Sequence, residues 1–407
     1  MAGTIEKRGE NSFRLTVYAG YDIQGKQIRH KKTIKVKAKS EKAKWREAEK
    51  ALGMFQSEVE KGEFLGTGKM TFACFVQEWL AKYAEKQLAP KTVYRYREIL
   101  NTRIIPVIGH MKMEKIRPVN ILNIYDQLQQ DGIRMDGKPG GLSPTTILQH
   151  HRVLSSIFSS AVQWQVVLSN PVSKVKPPKQ KKPNIASYDE EQAAALLGAL
   201  QKELLKYQVM VALALVTGCR RQELIAFQWE DIDFESSTIK VDRAAQYLPG
   251  RGMFLKDTKT PESSRIITLP YSIMGLLKEY RKHWLKEKMK VGELWQRDNE
   301  GKYSEEWIGL DLLFTTWNGW PMHIDTITKW FPKFLKRHNL PHVYFHSLRH
   351  TAATLLIGWG IPTRSVSSIL GHARPSTTED IYSKSLKSVE KVAAEKMEEM
   401  IFKNNTQ

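Results

Sequence analysis

Residues 345–360 read FHSLRHTAATLLIGWG, and residues 365–384 read SVSSILGHARPSTTEDIYSK. The apolar run in the first stretch predicts a buried helix on which His346 and Arg349, three residues apart, face the same side. In the second stretch Gly371 ends a helix, and Tyr382 is predicted one turn into the short helix that follows. The two stretches together predict a mainly α-helical domain in which polar side chains converge.

A second candidate group precedes this region in the same domain. Residues 207–216 form an apolar run that predicts a buried helix, which Gly218 ends. Arg220 then projects from a turn, and Glu223, three residues further on, is placed to brace it. We expect a capping box at Ser187 and Glu190 to open the domain.

A small β-sheet is expected after these helices. Residues 238–241, TIKV, predict a strand, and residues 255–270, LKDTKTPESSRIITLP, have the pattern of a hairpin. That pattern places Lys259 at the turn, where a lysine is mobile and can swing into the groove of a bound partner or simply add solubility.

Composition points to a polyanionic partner. The chain has 407 residues, with 63 Lys and Arg against 43 Asp and Glu, a net charge of +20 and a pI near 9.6. This balance favours nucleic acid over a membrane surface. The two cysteines, Cys74 and Cys219, lie in apolar stretches, so we expect reduced core thiols and neither disulfides nor a cysteine zinc site. The absence of a signal core and of a membrane-spanning run predicts an intracellular protein.

Residues 1–65 predict a small α+β domain. Alternating apolar residues around Phe13 and Ile34 indicate two or three antiparallel strands, and a helix capped by Ser40 follows. The run KQIRHKKTIKVKAKSEKAKWR, residues 26–46, favours DNA contact over a solvated edge strand protected by lysines. Its candidate DNA-binding residues are Arg29, Lys31, Lys32 and Lys35.

Residues 70–172 predict an all-helical domain. Lys91 and Arg95 lie on a helix that is either a phosphate-facing surface or a plain amphipathic helix. Residues 173–186 follow as a basic linker, rich in lysine and proline, in which Lys179 and Lys181 are further candidates for DNA contact.

The ordered series Thr-Gly-x-Arg, Thr-Lys-Thr, His-x-Leu-Arg-His, Leu-Gly-His and a later Tyr resembles the catalytic signature of the tyrosine recombinases, the phage integrase family. The resemblance covers a catalytic domain at residues 187–395 and leaves 396–407 as a C-terminal tail. It implies the fold class: a three-stranded sheet plus helix for arm-type DNA, an all-α core-site-binding domain, and a mainly α catalytic domain with a small sheet. The implied catalytic residues are Arg220, Lys259, His346, Arg349, His372 and Tyr382, with Glu223 in support.

The resemblance also implies the reaction. Tyr382 would attack a DNA phosphodiester, two arginines would clamp the phosphate, and Lys259 would protonate the leaving oxygen, with no metal, ATP or other cofactor. The partners would be double-stranded DNA at core and arm-type sites and a homotetramer formed on it, with no membrane partner. An excisionase and a host DNA-bending protein are left open. The expected place is the bacterial cytoplasm, in association with the nucleoid.

Three other interpretations remain open from the sequence. They are a type IB topoisomerase-like enzyme, a catalytically inactive DNA-binding regulator, and a resolvase or chromosome-dimer recombinase. Residues 285–310 exceed the family minimum and are interpreted as a surface insertion. Residues 388–402, SVEKVAAEKMEEMIF, predict an amphipathic helix that docks either on a neighbouring protomer or on its own domain.

Overall fold

The computed structural model divides the chain into two compact units, Met1–Lys182 and Pro183–Gln407. The division falls inside the basic segment 173–186. The described residues are 2–21, 27–38, 40–60, 70–180, 186–257, 264–297, 302–371 and 398.

The N-terminal part of the first unit contains the predicted three-stranded sheet. Strands β1 (Gly3–Gly9), β2 (Ser12–Tyr21) and β3 (Gln27–Lys35) are antiparallel in the order β1-β2-β3, and helix α1 (Glu41–Glu60) follows. The predicted sheet is therefore confirmed.

One face of this sheet is covered by α1. Leu15 and Val17 of β2 are fully buried and share a core with Phe55 and Val59 of the helix. Each buried side chain of this size contributes about 1.5–3 kcal/mol relative to an exposed one. Because side chains alternate along a strand, the residues between these core positions lie on the opposite face of the sheet.

The rest of the first unit is helical. Phe72, Phe75 and Trp79 are buried, and the indole Nε1 of Trp79 donates to Ser160 Oγ at 2.9 Å. Val175, at the start of the predicted linker, is also buried in this core. The helices are α2 (Phe72–Trp79), α3 (Glu85–Gln87), α4 (Pro90–Ile99), α5 (Ile105–Ile108), α6 (Pro118–Gln129) and α7 (Pro144–Gln163), with π-helical segments Leu80–Ala84 and Leu100–Ile104.

The expectation of two core thiols is wrong for Cys74, which is exposed, whereas Cys219 is buried. Phe72, Phe75 and Val76 occupy the inward side of α2, and the helical rotation turns the position of Cys74 away from it.

The second unit is mainly helical. Its helix α8 begins after Asp189, whose carboxylate accepts from the Gln192 amide at 2.8 Å, so the predicted capping box at Ser187 and Glu190 is wrong. A capping box forms instead two residues later, between Asp189 and Gln192. The helices are α8 (Glu190–Leu200), α9 (Leu205–Thr217), α10 (Arg221–Ala226), α11 (Tyr271–Val291), α12 (Ile324–Arg337), α13 (Ser347–Gly358) and α14 (Thr363–Leu370).

The second unit also contains the small sheet, but its hairpin turn is elsewhere than predicted. The strand Gly252–Asp257 pairs with Arg243–Leu248 through a turn at Pro249 and Gly250, and Arg265–Thr268 pairs with Thr238–Val241. The strands on either side of residues 258–263 therefore do not pair with each other as the predicted hairpin requires. Lys259 lies outside the described residues, between Asp257 and Arg265 in sequence. The strands are β4 (Ile232–Asp233), β5 (Thr238–Val241), β6 (Arg243–Leu248), β7 (Gly252–Asp257) and β8 (Arg265–Thr268), paired as β4-β5-β8 and β6-β7.

The interpretation of residues 285–310 as a surface insertion is wrong for its second half. Trp307 is fully buried, and its Nε1 donates to the Met253 carbonyl of β7 at 2.9 Å. The Met253 amide donates to the Lys302 carbonyl at 3.1 Å, and the Leu255 amide donates to Glu306 Oε1 at 2.9 Å. This segment therefore covers the free edge of β7 and satisfies its backbone groups.

None of the helices in the described ranges has the length and apolar character that a membrane crossing requires.

Trp307→Ala is expected to destabilise the second unit by about 3–5 kcal/mol, because it leaves a cavity and removes the hydrogen bond to Met253. Ile308→Ala, at a neighbouring side chain that is 58% exposed, is the matched control and should change stability little. Calorimetric melting of the full chain measures both. Equal effects of the two substitutions would contradict the packing described for Trp307.

Candidate functional site

The site begins where α9 ends. Gly218 adopts a left-handed conformation with φ of 60°, and Arg220 then caps the N-terminus of α10. A Cβ at Gly218 would lie 2.2 Å from Cδ2 of Leu370, at the end of α14. Glycine is therefore required both by the backbone conformation and by the close approach of α14.

Glu223 braces Arg220 as the sequence predicted. Arg220 Nη1 donates to Glu223 Oε1 at 2.7 Å, and the Arg220 backbone amide donates to Oε2 at 2.9 Å. Burial of Glu223 opposes its ionisation, but the charge and hydrogen bond of Arg265, together with those of Arg220, outweigh burial and lower the pKa of Glu223. The carboxylate is thus ionised at neutral pH and fixes the orientation of the Arg220 guanidinium.

Arg349 lies on α13 and is buried, with 3% of its surface exposed. Its Nη1 donates to the Gly218 carbonyl at 2.8 Å, while its Nη2 is buried without a hydrogen-bond partner among the described residues. Burial, followed by the charge of Arg220, lowers the pKa of Arg349 to about 9, so the group is still a cation at neutral pH. A buried cation with an unused donor is suited to receive an anion.

His346 precedes α13 and is exposed. Partial burial, together with the nearby positive charges of His350, Arg349 and Arg220, lowers the pKa of His346 to about 4. The imidazole is therefore neutral near pH 7 and can accept a proton.

A groove of about 410 Å³ lies next to Arg220 and His346. Arg221, on its wall, hydrogen-bonds Thr328 and forms an ion pair with Asp325 at 3.3 Å. Arg220 and His346, predicted from separate motifs, line this one groove. The full lining is Arg220, Arg221, Gln222, Thr328, Pro332, Tyr344, Phe345 and His346.

A third arginine, Arg265 of β8, belongs to this centre and was not predicted. Its Nη2 donates to Glu223 Oε2 at 2.8 Å, and the residue is 9% exposed. The sequence carried a signal, because in a strand with period two Arg265 shares a face with the buried Ile267. A charged residue at a strand position whose side chain faces the core needs a buried partner of opposite charge or a hydrogen bond.

Three of the predicted catalytic residues, Lys259, His372 and Tyr382, lie outside the described residues. The described chain reaches Gly371, which ends α14 in the left-handed conformation with φ of 66°. Arg220 Nη2 donates to the Gly371 carbonyl at 3.1 Å, so the end of α14 is held at the centre.

The candidate DNA-binding residues of β3 divide between the two faces of the N-terminal sheet. Lys32 lies on the helix-covered side, where its Nζ forms an ion pair with Glu58 at 2.8 Å. The open face instead carries Arg29, Lys31 and Lys35, which are exposed and pair in register with Tyr18, Thr16 and Ser12.

The remaining candidates are spread over the rest of the first unit. Lys91 and Arg95 are exposed on α4, where Arg95 forms an ion pair with Glu98 at 2.7 Å. Lys179 is exposed after the last helical turn, and Lys181 lies outside the described residues.

Within the described part of the chain, no three or more His, Cys, Asp or Glu side chains are grouped so that they could hold a metal ion.

Comparison with protein families matches residues 187–388 to the phage integrase family and residues 71–129 to the SAM-like N-terminal domain of phage integrases. A "Tyrosine recombinase XerC-like" protein of Caldanaerobacter subterraneus subsp. tengcongensis is 28% identical, over 92% of this chain and 93% of that protein. The "ICEBs1 integrase" of Bacillus subtilis is 22% identical, over 98% of this chain and 100% of its own length.

Among solved structures, the Tn1549 transposon integrase in complex with transposon right end DNA has a similar fold. The TM-score is 0.62 at 20% identity, over 80% of this chain and 100% of that one.

Proposed function

This chain belongs to the phage integrase family of tyrosine recombinases, and we propose that its centre around Arg220, His346 and Arg349 breaks and rejoins DNA in the integration of a mobile element. The observation that carries the assignment of the centre is the buried, unused Nη2 of Arg349 in the same site as Arg220. Such a pair is suited to two oxygens of one phosphodiester.

The arginines would stabilise the transition state of phosphoryl transfer. Attack on the phosphodiester gives a pentacoordinate phosphorus with additional negative charge on its non-bridging oxygens. Guanidinium groups hold such oxygens through charge-assisted hydrogen bonds. Glu223 keeps Arg220 in place, and the carbonyl of Gly218 keeps Arg349 in place.

Tyr382 is the proposed nucleophile. Its phenolic oxygen forms a bond to phosphorus, its proton passes to the neutral His346, and the bond from phosphorus to the 5′ oxygen of the DNA breaks. Lys259 gives a proton to the departing 5′ oxygen, and His372 is the further active-site residue at the phosphate. The product is a 3′-phosphotyrosyl protein–DNA adduct with a free 5′ hydroxyl.

Because the adduct keeps the energy of the broken bond, a 5′ hydroxyl from a second duplex can attack it and reseal the DNA without ATP. Four protomers on two duplexes would exchange one pair of strands, form a Holliday junction, and then exchange the other pair, which permits excision as well as integration. An excisionase and a host DNA-bending protein are the proposed partners that set direction. The proposed location of this reaction is the bacterial cytoplasm, in association with the nucleoid.

The N-terminal sheet is proposed to bind arm-type DNA through its open face. Arg29, Lys31 and Lys35 are exposed there, on the face opposite the helix-covered core. Their charges would contact phosphates, which contribute much of the affinity of such interfaces. Lys32 is given no part in this proposed contact, because it lies on the other face of the sheet and forms an ion pair with Glu58.

The covalent step is tested with a nicked duplex that carries the core attachment site, incubated without metal or ATP. We expect a protein–DNA adduct on a denaturing gel, and its complete loss in Tyr382→Phe, because phenylalanine lacks the attacking oxygen. Transfer of the trapped strand to a second duplex would distinguish recombination from topoisomerase activity. An unchanged adduct in Tyr382→Phe, or none with tightly bound wild-type DNA, would contradict the proposal.

The open face of the sheet is tested with Lys31→Ala against Lys32→Ala. Lys31→Ala should weaken arm-site binding and reduce the slope of log affinity against log salt by about 1, because one phosphate contact is lost. Lys32→Ala, on the other face of the same strand, should leave the slope unchanged. Fluorescence anisotropy over a salt series measures both, and the reverse ranking would exclude the open face.

A further inference from the structure

Arg265 is a buried cation that the reaction described above does not use. It lies on β8, and 9% of its surface is exposed. Its guanidinium therefore cannot reach a duplex in the groove, where Arg220 keeps 39% of its side chain exposed. Any effect of Arg265 on DNA cleavage must pass through other residues of the protein.

One route passes through Glu223. The two oxygens of this carboxylate are divided, since Oε1 accepts from Arg220 Nη1, while Oε2 accepts from the Arg220 backbone amide and from Arg265 Nη2. Arg265 therefore fixes the rotation of the carboxylate plane, and the carboxylate plane in turn fixes the Arg220 guanidinium. Without Arg265, one oxygen of a carboxylate that is only 3% exposed would lose its charged partner.

A second route passes through the end of α14. Arg265 Nε donates to the Ile369 carbonyl at 2.8 Å, and Arg220 Nη2 donates to the Gly371 carbonyl at 3.1 Å. A Cβ at Gly371 would lie 2.9 Å from Arg265 Nη1, so the backbone rests directly on the guanidinium. The same two arginines thus hold the last turn of α14.

We propose that Arg265 is a positioning residue for strand cleavage, which orients Arg220 through Glu223 and fixes the end of α14 against it. The inference rests on the proposed function and adds a residue to it. Arg265 makes no contact with substrate, and it sets the geometry in which Arg220 meets the phosphate. Displacing a reacting group by about 1 Å can slow a reaction by about 10²-fold.

The test compares Arg265→Gln and Arg265→Lys with wild type in the full chain. Single-turnover cleavage of the nicked duplex is measured at saturating DNA, and DNA affinity is measured separately. Arg265→Gln should slow cleavage by about 10²-fold with affinity within about twofold of wild type. Arg265→Lys should be intermediate, because one ammonium can donate to Glu223 but cannot reproduce the spread of guanidinium contacts.

Arg243→Gln is the matched control. Arg243 lies on β6, is 22% exposed at its side chain, and pairs with Asp231, Glu230 and Asp242 away from the groove. Its loss should lower the melting temperature while leaving the cleavage rate within about twofold of wild type. If Arg265→Gln merely loosened the fold, the two variants would behave alike.

Glu223→Gln supplies the final distinction. Because Arg265 acts partly through Glu223, the double variant should be slowed by less than the product of the two single effects. Effects that multiply in full, or a folded Arg265 variant that cleaves at the wild-type rate, would overturn the inference. If Arg265→Gln does not fold, Arg265→Lys takes its place in this test. A folded Arg265→Lys that cleaves at the wild-type rate would also overturn the inference. Wild-type adduct formation keeps the proposed function standing in each case, and its absence would refute that function itself.

Discussion

The guanidinium groups of Arg220 and Arg265 both donate to the buried carboxylate of Glu223, and the buried Arg349 is near enough for the charges of all three to shift its pKa. The charges of Arg220 and Arg265 both lower the pKa of Arg349, because like charges in a buried site disfavour one another. Backbone carbonyls accept some of the hydrogen bonds that the three arginines can donate. They carry no negative charge, so the three positive charges still exceed the one negative charge of Glu223. In the proposed reaction, an arriving phosphodiester would relieve this repulsion, and a transition state with more negative charge would relieve it further, which is the condition for catalysis.

Two glycines let the chain close around this cluster. Gly218 ends α9 and Gly371 ends α14, both with positive φ. A Cβ at Gly218 would collide with Leu370, and one at Gly371 would press on Arg265. The helix ends therefore approach closely enough for their carbonyls to serve as hydrogen-bond acceptors for the arginines. The chemistry of the site thus depends on backbone positions that carry no side chain.

The sequence predicted the contact between Arg220 and Glu223 because that motif is local. Arg220 and Glu223 lie three residues apart at the start of a helix, so helical geometry alone was enough to predict their contact. Arg265 was missed because its partner is 42 residues away in the chain, and only its phase in the strand indicated burial. Burial of Trp307 was missed because its sequence neighbours are mostly polar. Its hydrogen-bond partner, the Met253 carbonyl, belongs to the preceding hairpin. The turn at Pro249 and Gly250 was readable, but the hairpin was centred on Lys259 instead.

The central claim is that Arg349 neutralises charge on a phosphate oxygen. A methylphosphonate at the cleaved position replaces one charged oxygen by a neutral methyl group. Arg349→Ala should slow cleavage of the ordinary phosphodiester by about 10²–10³-fold, as expected for loss of one oxyanion donor. It should slow cleavage of one methylphosphonate diastereomer far less, because the charge that Arg349 balances is absent. An equal loss on both substrates, for each diastereomer, would contradict the account.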